Sequence, residues 1–216
     1  MHFAPRMALA GLDDAALRDD VLARHSINQP YIFLPNQYWQ HKNHGVVVRA
    51  LQHLRTQGLP LPLVVSTGKT EDMRSPSYFP QFQAQLASLG LQDSYRILGV
   101  VPRQDMLVLL AHSAVVLNPS CFEGWSTGVE EAKALGKPLL VSNIPVHREQ
   151  VAGLADAAVF GTDDAPALAQ LMQQHQARAG WTQPHPPQPR PDLYEAFTRQ
   201  YLGLLKTLAG VSEVAA

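Results

Sequence analysis

Two carboxylates separated by seven residues, Glu123 and Glu131, stand in the stretch N-P-S-C-F-E-G-W-S-T-G-V-E-E-A-K-A-L-G-K-P that runs from Asn118 to Pro138. A strand is expected to end at Asn118, a loop to run to Ser126 or Thr127, and a helix to follow. Thr127 and Glu130 fit a capping box, and Gly136 with Pro138 supplies the stop. Val129, Ala132 and Leu135 then face inward. Glu130 thereby has a structural role, whereas Glu123 and Glu131 have none. Carboxylates accept paired hydrogen bonds from vicinal hydroxyls, as sugar and ribose rings present them. The helix N-terminus offers free N–H groups and partial positive charge suited to a diphosphate. Sugar, ribose and diphosphate are the three parts of a nucleotide sugar.

A second cluster follows the first expected strand, where N-Q-Y-W-Q-H-K-N-H occupies residues 36–44. Lys42 is a flexible point charge well placed to meet a diphosphate across a crevice. His41 and His44 would need a third ligand to hold a metal, and none is evident, so no metal is expected. Elsewhere Ser66, Thr67 and Gly68 read as turn chemistry and Arg103 as a helix opener. Met106, Leu107 and Leu110 read as core and Cys121 as packing. His147 and Arg148 follow a short strand near the crevice without an assigned role.

The elements that must position these groups alternate. Short apolar runs predict strands at Tyr31–Pro35, Leu63–Thr67, Arg96–Val101, Ala114–Asn118, Pro138–Ser142 and Ala157–Phe160. Helical periods between them cover Asn43–Gln57, Tyr78–Leu89, Arg103–His112, Gly128–Leu135 and Ala165–Ala177. This alternation predicts an α/β domain, a Rossmann-like three-layer α/β/α unit with a mainly parallel sheet of about six strands. Such sheets bind ligands at the carboxyl ends of their strands, where both clusters fall. Residues 1–30 read as an N-terminal linker and a charged helix, Asp13–Arg24, and residues 31–181 as the main domain. The proline-dense 182–191 reads as a linker, and 192–216 as a closing helix, Asp192–Leu208, with a frayed tail.

Composition narrows the function class. The 216 residues carry a formal net charge of -1, so no global field holds nucleic acid or an anionic membrane. The one cysteine excludes an internal disulfide and fits a reducing, cytoplasmic compartment. No apolar run approaches the ~20 residues of a membrane span, and the N-terminus does not read as a signal peptide.

The pattern P-S-x-x-E-G-x-x-x-x-x-x-E-A-x-A-x-G-x-P resembles the signature of retaining glycosyltransferases of the GT-B fold, especially the large family four. The resemblance implies that Glu123 contacts hydroxyls of the transferred sugar and that Glu131 holds the ribose. It also implies that Gly124, Trp125, Ser126 and Thr127 surround the donor sugar and phosphates through their main chain. The W-S-T segment departs from the F-G-x-P of many relatives. The loop at 36–44 is similar to the family's G-R-x-x-x-x-K-G turn. Lys42 falls on the Lys position, and Gln37 stands where the phosphate-binding Arg is expected. Val100, after the third strand, falls where relatives contact the base. A P-N-Q-[FY]-W-x-H-K-N-H block is similar to one in bacterial surface-polysaccharide enzymes.

These implications describe the C-terminal, donor-binding domain of a two-domain enzyme. The enzyme would transfer a hexosyl group from a UDP- or GDP-linked sugar, with no cofactor. Glu123 and Lys42 would be the catalytic groups. The acceptor domain is expected in cis or in trans, the isolated chain being inactive alone. The complete enzyme is expected at the inner face of the membrane, and the closing helix could drive self-association. Two alternatives share the ligand: a non-catalytic nucleotide-sugar-binding subunit of a split enzyme, and a GT-B-like sugar-nucleotide epimerase.

Overall fold

A computed structural model describes residues 11–178, 187, 188 and 190–208. Six strands form one sheet: β1 (Tyr31–Leu34), β2 (Leu63–Ser66), β3 (Tyr95–Ile97), β4 (Val115–Asn118), β5 (Leu139–Ser142) and β6 (Ala157–Phe160). All pair in parallel, in the order β3-β2-β1-β4-β5-β6. β1, β2, β4 and β5 are buried at every position, which is why they read as unbroken apolar runs and not as alternating ones.

Eight α-helices among the described residues cover the two faces: α1 (Ala15–Arg24), α2 (His44–Thr56), α3 (Tyr78–Ser88), α4 (Arg103–His112), α5 (Thr127–Ala134), α6 (Pro145–Val151), α7 (Ala165–Gln176) and α8 (Pro191–Leu208). Successive β1 side chains alternate between the faces. Ile32 and Leu34 join Val47, Leu51 and Leu54 of α2 and Leu168 and Met172 of α7. Tyr31 and Phe33 join Val21 of α1, Leu107 and Val108 of α4 and Val129 and Ala132 of α5. Each fully buried Val or Leu contributes roughly 1.5–3 kcal/mol over its exposed state. The expected three-layer α/β/α fold is therefore present.

Two local features depart from expectation. β3 ends at Ile97, not at Val101, because Gly99 turns the chain with φ +68° and its carbonyl accepts from the N–H of Gly68 at 2.8 Å. Residues 99–101 thereby become a loop. The short helix α6 was not foreseen; Pro145 opens it at a position where a missing N–H costs nothing.

Most of the expected linker 182–191, and the tail from Gly210, lie outside the described residues. Gln188 and Arg190 donate main-chain N–H groups to the carbonyls of Leu135 and Ala134, satisfying the end of α5. Gly136 is required there, with φ +62° and a Cβ position only 2.6 Å from the Gln188 carbonyl oxygen. No helix among the described residues is long and apolar enough to cross a membrane.

Candidate functional site

The strand order reverses direction between β1 and β4, so the loops that leave these strands diverge and open a crevice. The first is the Pro35–Asn43 loop, and the second the Pro119–Ser126 loop. A buried polar network ties them together. Asn36 donates its amide to Oδ1 of Asn118 at 2.9 Å, and Asn118 donates its own amide to the Ser126 hydroxyl at 2.8 Å. Ser126 in turn accepts from the N–H of Val129 at 3.3 Å and is the N-cap of α5.

This corrects the expected capping box. Thr127 is the first helical residue and not the cap. Glu130 does not reach back either; it pairs with Lys133 at 2.9 Å and accepts from the Gln150 amide at 2.9 Å. Gln150 comes from the unforeseen α6, so a partner for Glu130 was invisible in the local sequence. Val129, Ala132 and Leu135 do turn inward.

Lys42 and Glu123 meet directly, Nζ to Oε1 at 2.7 Å, with side chains only 14% and 9% exposed. The Ser120 hydroxyl lies 2.7 Å from the same Oε1 and 2.8 Å from Asn118 Oδ1, one proton between two acceptors. Burial raises the Glu123 carboxyl, but Lys42 and Ser120 outweigh it and hold the group below its ordinary value. His147 is fully buried beneath, its Nδ1 2.9 Å from the Ser142 hydroxyl and its Nε2 without a partner. Burial lowers its pKa, so the ring is neutral at pH 7. Arg148 points away and donates to Asn143 at 3.0 Å.

Glu131 sits one turn into α5 and engages Arg103 at 2.5 Å. Both line a cavity of about 260 Å³ whose walls include Gln37, Thr67, Gly68, Val100 and Thr127. Gly68 is essential to its shape: any Cβ there would sit 2.7 Å from the Asn36 carbonyl oxygen. Four of the expected nucleotide-site residues, Gln37, Val100, Thr127 and Glu131, are thus brought together. Lys42 and Glu123 form a separate ion pair at the same strand ends. Gly124 and Trp125 connect that pair to the cap without lining the cavity, and Ser126 is buried in its cap bonds.

Arg103 is the residue that local reading missed. It does open α4, yet among the described residues its guanidinium is the one side-chain cation lining the Glu131 cavity, where Gln37 replaces an expected arginine. The signal was its place just after the third strand, on the side of the sheet where ligands bind. His44 is also clarified. It is fully buried, stacked 4.1 Å from the Tyr38 ring, with one nitrogen 2.7 Å from the Tyr95 hydroxyl and the other 3.0 Å from the Gln37 carbonyl. Cys121 is exposed and not a packing residue, because its loop turns it outward.

A parallel α/β unit with its crevice at the strand-order reversal is a Rossmann-like nucleotide-binding architecture. The family pattern described as glycosyl transferases group 1 matches residues 20–176, and the chain belongs to that family. Curated protein sequences offer no significant match.

Solved structures agree on the fold. Sucrose-phosphate synthase from Thermosynechococcus elongatus is 18% identical with a TM-score of 0.70, covering 90% of this chain and 49% of that one. Anabaena Alr3699/HepE, in complex with UDP and glucose, is 18% identical with a TM-score of 0.67, covering 78% of this chain and 45% of its own. WaaG, a glycosyltransferase involved in lipopolysaccharide biosynthesis, is 15% identical with a TM-score of 0.62, covering 83% of this chain and 48% of its own. The chain therefore spans about half the length of these relatives.

Proposed function

We propose that this chain is the donor-binding unit of a retaining glycosyltransferase that moves a hexosyl group from a nucleoside diphosphate sugar to an acceptor hydroxyl. The observation that carries the reading is the cavity holding Glu131, Gln37 and Thr127 at the same strand ends as the Lys42–Glu123 pair. At about 260 Å³ the cavity is below the usual range for small-ligand sites, roughly 300–1,000 Å³. It suits the nucleoside, and the diphosphate and sugar would extend over Lys42 and Glu123.

In this reading the Glu131 carboxylate accepts from the ribose hydroxyls with the oxygen that Arg103 leaves open. Val100 and Val101 flank the base. Lys42 uses one of its three N–H donors on Glu123 and offers the others to the diphosphate. Its charge then stabilises the negative charge building on the leaving group, a kind of contribution typically worth about 3 kcal/mol at the transition state. Glu123 orients the sugar through its hydroxyls. Arg103 supplies the second cation that Gln37 cannot.

The acceptor-binding domain acts in cis or in trans, and the likeness to WaaG favours a role in surface polysaccharide or lipopolysaccharide synthesis. Titration of the protein with UDP and with GDP tests the reading. Saturable binding of one is expected; silence with both at millimolar concentration would overturn it. The division of labour has its own test. Glu131→Ala should weaken nucleoside diphosphate binding, whereas Glu123→Ala should spare it and weaken only the sugar-bearing donor. Equal losses from both would refute the assignment.

A further inference from the structure

A second and larger cavity, of about 600 Å³, opens beside the Lys42–Glu123 pair and shares no lining residue with the first. His41, Arg49, Asp72, Arg74, Tyr78 and Cys121 are among its walls. His41 precedes Lys42, and the N–H of Cys121 donates to the His41 carbonyl at 2.7 Å, so this wall joins the two loops that carry Lys42 and Glu123. The volume lies within the range of small-ligand sites. None of these six residues has a part in the proposed donor site.

The chemistry of the lining is one-sided. Two guanidiniums face one carboxylate, Asp72, so the lining carries +1 (two positive charges minus one) while His41 is neutral. His41 is neutral at pH 7 because burial first, and then Lys42, lowers its pKa. Asp72 is engaged at Oδ1 by the main-chain N–H and the Nε of Arg74, at 3.0 and 3.2 Å. Arg49 pairs with Asp163, a carboxylate outside the cavity and almost wholly in water. Such an exposed pair holds its cation weakly and releases it to a better acceptor.

The Arg74 guanidinium lies over the Trp39 ring, 5.2 Å from its centroid, and with Nε on Asp72 its two terminal nitrogens remain to fork onto an anion. Exposed Phe122 packs edge-on to His41 at 6.5 Å, offering an aromatic face next to the lining. Forked cations, an acid already paired with Arg74, a phenol and an aromatic rim together match a sugar ring that bears a charge.

We propose that this cavity binds an anionic carbohydrate, a sugar carrying a phosphate or a carboxylate, immediately beside the donor crevice. Its use as an acceptor subsite rests on the donor reading above; the binding itself does not. The test is calorimetric titration of the protein with glucose 6-phosphate, glucuronate, glucose and inorganic phosphate, with UDP titrated in parallel. At least one anionic sugar should bind, and glucose at least about tenfold more weakly. Arg74→Ala and Arg49→Gln should each weaken the anionic sugar about tenfold or more, with UDP binding and melting temperature unchanged.

Binding of only one of the two anionic sugars names the anion and supports the proposal. Loss of UDP binding in the wild type alone, with the anionic sugar retained, removes the donor reading and leaves this site standing. Absence of saturable binding by either anionic sugar overturns the proposal, as does equal binding by glucose. Displacement of the sugar by UDP also overturns it, because the ligand would then sit in the donor crevice. So does inorganic phosphate binding as tightly as glucose 6-phosphate.

Discussion

Lys42 and Glu123 are each only slightly exposed and depend on one another. Removing one partner of such a pair leaves a desolvated charge, at a cost of about 3 kcal/mol. Lys42→Ala should therefore lower urea stability at pH 7 by about that amount. Lys42→Met combined with Glu123→Gln should cost distinctly less, because no orphan charge remains. The pH dependence follows from the depressed Glu123 carboxyl. Its stabilisation is complete above the ordinary value of 4.5 and is lost as pH falls through the lowered folded value. In Lys42→Ala the carboxyl loses the main group that depresses it, so this acid-driven loss should shrink, as urea unfolding compared at pH 7 and pH 4 would reveal.

At the scale of the element, α5 shows how a cap can be misassigned by one residue. Ser and Thr are both good caps, and S-T offers both in succession. The choice fell to Ser126 because its hydroxyl also receives the amide of Asn118, whose Oδ1 is held by Asn36 from the loop after β1. Ser126→Ala should cost about 1–2 kcal/mol in denaturant unfolding, since it removes a cap and strands a buried amide. Thr127→Ala should stay within about 0.5 kcal/mol. If the two losses came out reversed, the cap would be Thr127 after all.

For the molecule as a whole, buried histidines govern the response to acid. Burial pushes His44 and His175 down to about 4 from the ordinary 6.5. A depressed folded value means the stabilisation is complete above 6.5 and drains away as pH falls towards about 4. For His44 the full difference is on the order of 3 kcal/mol. Melting temperature should fall steadily below pH 6.5, and His44→Gln should make that fall shallower. At the same scale, Tyr201, Leu202, Leu204 and Leu205 of α8 are each 43–50% exposed. Apolar side chains clustered on one helix face in this way mark an association surface. The isolated chain is expected to self-associate through it, and Leu204→Glu should shift sedimentation towards monomer.

The sequence by itself determined the order of the six strands and of the helices other than α6, and the placement of both loops at the ligand-binding end. Buried parallel strands need unbroken apolar runs, and crossover helices need their own period; both are local properties. It also singled out Lys42, Glu123 and Glu131 as candidates by residue type and place near strand ends, and Gln37 through the family resemblance. The tertiary structure alone decided who meets whom. Arg103 reaches Glu131 and Gln150 reaches Glu130 across 28 and 20 residues of chain. Such pairings follow from which strands lie side by side and which helices flank them. The second cavity belongs to the same category, since Arg49, Arg74 and Cys121 come from three separate segments. Side chains distant in sequence become neighbours only once β1 and β4 pair and their loops diverge, and no local pattern encodes that distance.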